Sequence, residues 1–492
     1  MPSQIVRAPV ELAQFREAFD RIRGEFRVPR AFPAPVDAEA AAVARRGPVA
    51  PAGGVSARLD ARDVPFVTID PPGSLDLDQA FHAEPDGTGF RVRYAIADVA
   101  AFVEPRGLVD VESFARGVTL YLPDGRAPML PDVLGEGAAS LLPDQDRPAL
   151  VWTIELDETG ASSSARLERA TVRSRAALDY PSVQAALDAG RADEPLQLLR
   201  RIGTLRRALE AARGGISLDL PSQEVAATAA GGFELRYAAP LPVEGWNAQI
   251  SLLTGMEAAR IMIDAHVGIV RTVAPPQPWQ LDRLRRTARA LDVEWPAGER
   301  WAEVVGRLDR ADPDSAAFLT QAAHLLRGAG YAKLDASNTR DAADVPVHGG
   351  VAAPYAHVTA PLRRLADRYA NEIVLAHCAG IEPPEWACAA LDELVKTMDV
   401  ATHRDAEVEH AAVNAVECIV LASRVGERFD GVVVDRNQHG VIVQLRRPAI
   451  VAPMAADVAL GEPVEVTVAK VDVPARRIEL TPATGQRSDG TS

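Results

Sequence analysis

Apolar residues recur at spacings of three and four along residues 10–26, so that Leu12, Phe15, Phe19, Ile22 and Phe26 share one face of a helix. That face is expected to pack on the body of the protein. From Val28 to Gly54 the chain is rich in Pro, Ala and Gly and has no strong period, which reads as a partly mobile linker. No small β-barrel is visible before residue 60. From Val64 to about Arg175 the pattern is mainly that of strands: VPFVTI, AFHAE, FRVRYAIADV, ALVWTIELD and LERATVRSR, with PDG turns at 85–87 and 123–125 and a short helix over Leu108–Arg116. After Tyr180 helices are expected over 181–189, 194–213, 246–265, 278–292, 297–310 and 314–328. An extended stretch at 330–345 leads into helices at 361–379, 384–398 and 400–424.

At Gly426 apolar and polar residues begin to alternate around a turn at Asn437-Gln438-His439-Gly440, and PVEVTVAKVDVPARRIELT adds two further strands. Five short strands in about 60 residues fit an OB-type barrel. The last residues, 485–492, read as a disordered tail. The expected class is therefore α+β, in the order N-terminal helix and linker (1–62), large catalytic-size domain (63–425), OB-fold β-barrel (426–484) and tail.

Composition narrows the possibilities. An apolar fraction of 47% with 25% charged residues is that of a globular protein, and no apolar run approaches the ~20 residues of a membrane span. The N-terminus lacks the apolar core of a signal peptide, so a cytoplasmic monomer with no membrane partner is expected. Cys378, Cys388 and Cys418 are scattered and suggest neither a disulfide framework nor a zinc site. A net charge of −15 opposes indiscriminate binding to a polyanion, so any nucleic-acid partner requires positive charge concentrated in a channel.

Candidate chemistry begins at FVTIDPPGSLDLDQAFH, residues 66–82. Asp70 is expected at the end of a strand, where Pro71-Pro72-Gly73 breaks it. Asp76 and Asp78 alternate with Leu75 and Leu77, so an extended backbone would turn both carboxylates to one face and anchor both leucines on the other. Three such oxygen donors suit magnesium, with manganese as the substitute. A second cluster, VTAPLRRLADRYANE at 358–372, is expected to put Pro361 in the first turn of a helix with Thr359 close to the cap, and to present Arg363, Arg364 and Arg368. Alone it could be a solvated basic face. Together the clusters describe a phosphodiesterase site, in which a metal activates water and arginines steady the phosphate. There is no GxSxG, and His82, His348, His357, His403 and His410 form no ligand spacing, so they read as core or surface residues.

Four stretches carry a resemblance: TIDPPGSLDLDQAF, the long run YAIADVAAFVEPRGLVDVESFARGVTLYLPDGRAPMLPDVLGEGAASLLPDQDRP, SRAALDY ending at Tyr180, and YAHVTAPLRRLADRY. Over about residues 64–425 the chain resembles the ribonuclease II and ribonuclease R type of exoribonuclease with its RNB catalytic domain, and the barrel resembles that family's C-terminal RNA-binding domain. The resemblance implies magnesium-dependent hydrolysis of single-stranded RNA from its 3′ end to nucleoside 5′-monophosphates. Asp70, Asp76 and Asp78 match the first three acids of the family motif. Arg363 and Arg364 match a phosphate-contacting pair, with Thr359 beside them on the substrate side. Tyr180 matches an aromatic that packs on the terminal nucleotides, and Glu409 a glutamate in the helix before the barrel. Two departures stand out. Gln79 replaces a fourth aspartate and offers the metal only an uncharged carbonyl oxygen, and residues 1–62 replace the usual N-terminal cold-shock-type domains. Two readings thus stay open, an active exoribonuclease and a low-activity RNA-binding or regulatory protein on the same scaffold.

Overall fold

The computed structural model describes residues 6–49, 58–227, 233–310, 312–326, 328–341, 343–437, 440–448 and 450–483. Among these residues the alternating runs build a seven-stranded sheet. Its strands lie in the order Ala176–Asp179, Val67–Asp70, Gln79–Asp86, Gly89–Ala97, Asp146–Leu156, Ser162–Arg173 and Leu59–Asp60. The central strands are the most apolar: Val92, Tyr94, Ile96, Leu150, Trp152 and Ile154 are buried on one face and Ala95, Ala97, Ala149 and Val151 on the other, as expected where a sheet is covered on both faces. The first strand of the order runs parallel to Val67–Asp70 and sets Asp179 opposite Asp70.

The helices are α1 (Ala13–Glu25), α2 (Ala34–Arg46), α3 (Leu108–Arg116), α4 (Tyr180–Asp188), α5 (Glu194–Arg213), α6 (Pro242–Asp264), α7 (Pro278–Ala290), α8 (Trp301–Arg307), α9 (Pro313–Ala323), α10 (Leu365–Cys378), α11 (Glu385–Ala389) and α12 (Leu391–Ala422). In α1 the three-four spacing works as expected: Phe15, Phe19 and Ile22 are buried, and the helix packs on α12. Leu12 stays exposed as the residue before the helix. Part of the linker expectation is overturned. Residues 34–46 form α2, started by Pro33 and Pro35 and rich in alanine, and Val36, Ala40 and Val43 are buried against the main core. The weak period hid the helix because alanine can face either core or solvent.

Three other boundaries differ. Residues 330–345 are extended only over Gly330–Leu334, which pairs with Gly268–Thr272, and Asp335 then accepts from Ser337 N–H at 2.8 Å in a turn. The segment 384–398 divides into α11 and the start of α12, and α12 then runs on through 400–422, since nothing between Leu391 and Ala422 breaks the helix. Pro361 does not lie in a helix: α10 begins at Leu365, with Arg364 as its N-cap residue and no cap from Thr359. A small sheet, Val6–Arg7 with Ser222–Ala227 and Phe233–Ala238, was not expected.

The expected barrel is present and closed, in the order Arg428–Asn437, Gly440–Leu445, Val451–Met454, Arg477–Pro482 and Pro463–Asp472. Its outer residues Val432 and Val434 share an apolar cluster with α7 to α9. Gln438 and His439 of the expected turn, and the tail 485–492, lie outside the described residues. No described helix is long and apolar enough to cross a membrane. Cys378, Cys388 and Cys418 are free.

Candidate active site

Asp70 ends its strand as expected, and Asn247 of α6 fixes that end by donating to the Ile69 carbonyl at 3.4 Å and to the Tyr180 hydroxyl at 3.2 Å. Tyr180 thus stands beside the acidic strand. The next acids lie on an extended segment held to residues 140–141: Leu77 N–H donates to Ser140 Oγ at 3.0 Å, and Leu141 N–H to the Leu77 carbonyl at 3.0 Å. Leu77 is buried, but Leu75 is 52% exposed, so one leucine rather than two anchors the segment. The backbone has left the sheet here and the strict alternation stops.

The second wall comes from residues 359–364. Gly117, after α3, has φ of +70° and approaches α12 so closely that a Cβ would lie 2.4 Å from Ala401 Cβ. Its carbonyl accepts from Leu365 N–H at 3.0 Å, while Thr119 N–H donates to the Arg363 carbonyl at 3.0 Å. The loop so fixed meets the acidic segment directly. Leu362 N–H donates to Asp78 Oδ1 at 2.8 Å, Arg363 Nε reaches Asp78 Oδ2 at 3.3 Å, and the Gln79 amide donates to the Thr359 carbonyl.

The arginines separate by environment. Arg363 is 43% exposed and faces Asp78. Arg364 is turned inward and grips Asp367 at 2.7 and 3.0 Å, and Arg368 is buried with Asp110 and donates to the Val103 carbonyl at 2.7 Å. The basic face expected from sequence is therefore mostly internal, because α10 is covered on nearly every side. Of the histidines, His82 is buried and His403 and His410 are exposed. His357 Nδ1 lies 2.7 Å from the Tyr331 hydroxyl.

Burial shapes the acids. It pushes Asp70 up to about 6, with Asp76 adding to the effect and Arg363 opposing it. Burial raises Asp78 to about 7 against the pull of Arg363 and the Leu362 N–H. Asp70 Oδ2 is buried with no hydrogen-bond partner. An orphaned carboxylate oxygen with a second carboxylate, Asp76, in electrostatic range is a pair of donors that suits a hard cation. Asp76 and Asp78 nevertheless turn to guanidinium groups, and among the described residues no three acids, imidazoles or thiols stand together as a cation site.

Three residues of this region escaped sequence reasoning. The PDG turn joins Leu120–Leu122 to Gly125–Ala127 and makes Tyr121 and Arg126 a cross-strand pair. Both reach Asp76 Oδ2, the hydroxyl at 3.3 Å and the guanidinium at 2.8 Å. Pairing across the recognised turn was the available signal. The third is Asp405 on α12, pushed up to about 6 by burial, with Arg363 and Arg271 in electrostatic range. Glu409, the expected acid, lies one helical turn further along and is half-buried. The i to i+4 relation between the two was the signal there.

The family described as RNB domain matches residues 58–380, and the RNase II-type exonuclease C-terminal S1 domain matches residues 427–483. The chain belongs to the RNB-domain family, with an S1-type barrel at its C-terminal side. More particularly, it is similar to Ribonuclease R of Escherichia coli (strain K12), 28% identical over an alignment of 416 residues, with 79% of this chain and 50% of that protein covered. It is also similar to the exosome complex exonuclease dis3 of Schizosaccharomyces pombe, 28% identical over 408 residues, 79% of this chain and 41% of that protein. The chain spans about half the length of the curated relatives it matches. Among solved structures, Mycoplasma genitalium RNase R in complex with ribose methylated single-stranded RNA superposes with a TM-score of 0.80 at 19% identity, covering 96% of this chain and 78% of that one. Yeast Ssd1, described as a pseudonuclease, has a TM-score of 0.64 at 14% identity, covering 88% and 54%. These likenesses show a shared fold.

Proposed function

We propose that the chain is a metal-dependent hydrolytic exoribonuclease that degrades single-stranded RNA from the 3′ end to nucleoside 5′-monophosphates, as a cytoplasmic monomer using magnesium. The observation that carries the reading is the meeting of Asp78 with Arg363, 285 positions apart in the chain, with Arg363 also in electrostatic range of Asp70 and its orphaned oxygen. A basic group next to buried acids is what phosphodiester hydrolysis needs: oxygen donors for a cation and a guanidinium to take up charge on the phosphate. Asp70 and Asp78 would hold magnesium, which when bound supplies Lewis-acid polarisation and a more acidic water. Arg363 binds the scissile phosphate through its exposed edge, and the inward grip of Asp367 on Arg364 keeps the loop in place. Tyr180 packs on the terminal nucleotide, oriented by Asn247. Asp405 on α12 lies within electrostatic range of Arg363.

A second reading, an RNA-binding or regulatory protein of low activity, is favoured by one feature: Gln79 brings no charge and its amide is engaged with Thr359. The two readings separate when matched 3′-labelled RNA and DNA single strands are incubated with magnesium and the products sized. The exoribonuclease reading expects monophosphates from RNA, lost by at least about 100-fold in Asp78→Asn, within the range of losses seen for removed electrostatic support. RNA that is bound without release of monophosphate by the unaltered protein would instead establish the binding role.

A further inference from the structure

We propose that Arg23, in the last turn of α1, is a positioning residue of the acidic site: by gripping Asp124 it fixes the hairpin whose side chains hold Asp76. The inference rests on the nuclease reading of that site given above. The hairpin is a two-stranded sheet, Leu120–Leu122 with Gly125–Ala127, and Asp124 lies in the turn between its strands. Tyr121 and Arg126 stand opposite one another on it and both meet Asp76 Oδ2, the hydroxyl at 3.3 Å and Nη1 at 2.8 Å. So short a ribbon does not hold its own place, because an isolated pair of strands is at best marginally stable in water. Its position must be set from outside.

The base of the hairpin is held where Thr119 N–H donates to the Arg363 carbonyl at 3.0 Å and Met129 N–H to Thr119 Oγ1 at 2.9 Å. On its flank Arg126 Nη2 reaches Asp132 at 3.3 Å and Glu136. Its tip is held by Arg23, whose Nη1 and Nη2 each donate to a different oxygen of Asp124 at 2.6 Å. That fork fixes direction as well as distance. The two side chains are only 14% and 15% exposed, so the pair escapes the screening that leaves most surface ion pairs weak. Asp20, one turn back on α1 and exposed, is a remote second partner at 3.9 Å. Arg23 is itself firmly mounted. Phe15, Phe19 and Ile22 are buried, and just past the helix Arg404 of α12 donates to the Phe26 carbonyl at 3.2 and 3.0 Å. Glu25 pairs with Arg476 of the barrel at 2.7 Å. The end of α1 thus touches the hairpin, α12 and the barrel, and a grip anchored there sets where Tyr121 and Arg126 present themselves to Asp76.

The test uses the full chain. A displacement of about 1 Å remote from the chemistry can cost up to about a hundredfold, so Arg23→Ala should lower kcat for monophosphate release by roughly ten- to a hundredfold, with Kd for the RNA within about twofold. Asp124→Ala should show the same loss, and the double variant no more than either single one, as two residues acting through one contact must. Glu25→Ala, which frees the same helical turn from the barrel, should keep kcat and so separates the grip on the hairpin from a general loosening of α1. Hydrogen exchange supplies a readout that needs no RNA: amides within residues 120–127 should exchange at least about tenfold faster in Arg23→Ala, with those of α1 and α12 unchanged. Unchanged kcat in Arg23→Ala, additive losses in the double variant, an equal loss in Glu25→Ala, or hairpin protection equal to that of the unaltered protein would overturn the proposal. If the unaltered protein releases no monophosphate, the exoribonuclease reading fails, and faster exchange confined to the hairpin in Arg23→Ala would still leave Arg23 as the residue that sets it.

Discussion

Gln79 directly follows Asp78 and begins the strand Gln79–Asp86. From sequence it reads as a weakened metal ligand, a carbonyl oxygen where an aspartate is usual. In the folded chain its amide nitrogen donates to the Thr359 carbonyl and ties the acidic strand to the loop that carries Arg363. An aspartate cannot donate there, and its carboxylate would face a carbonyl oxygen across a partly buried gap. Gln79→Asp is therefore expected to cost about 1–3 kcal/mol of stability and not to raise turnover. Urea unfolding together with release of monophosphate from labelled RNA checks this. A faster enzyme of unchanged stability would show that the amide bond is dispensable and that the site lacks only charge.

At the level of elements, α12 joins the two halves of the molecule, with Asp405 toward the site and Glu417 toward the barrel end. Glu417 is deeply buried and its carboxyl is pushed up to about 8 from an ordinary 4.5, against a hydrogen bond from Gln223 at 3.5 Å. The sign follows from proton counting. Between about pH 4.5 and 8 the folded state keeps a proton that the unfolded chain has released, so this group makes stability fall as pH rises, and the penalty is complete above pH 8. Glu417→Gln should remove that slope and stabilise the protein at pH 8.5 by on the order of a few kcal/mol, with little effect at pH 5. Parallel pH profiles of the two proteins from thermal unfolding would refute this. The same helix explains a missed boundary: two amphipathic segments in the sequence become one rod because no glycine or proline interrupts Leu391–Ala422.

At the scale of the whole molecule, a chain of net charge −15 can hold RNA only where arginines are left with a free edge. Many are not, since Arg368 is buried against Asp110, and Arg364 and Arg169 are half-buried and paired with Asp367 and Asp98. Binding should therefore depend on few phosphate contacts. The slope of log Kd against log salt for a single-stranded RNA is expected to be modest, about 2–4, corresponding to roughly three to six neutralised phosphates. Fluorescence anisotropy over a salt series measures it, and a slope near 8 would show a far more extensive basic surface.

The sequence by itself determined the order of the parts, the α+β class, the closed barrel, the apolar face of α1 and the place of Asp70, because these rest on local periodicity and turn residues that act over a few positions. It also supplied Asp76, Asp78, Arg363 and Tyr180 as members of one region. What it could not determine was which charges find each other. Arg363 and Arg364 are adjacent in the chain, yet one faces Asp78 and the other Asp367, because the loop after Gly117 turns them to opposite sides. Arg126 reaches Asp76 only through a hairpin, and Asp405 enters the range of Arg363 only through the packing of α12. Charge pairing is decided by distance and desolvation, and both exist only once the chain has folded.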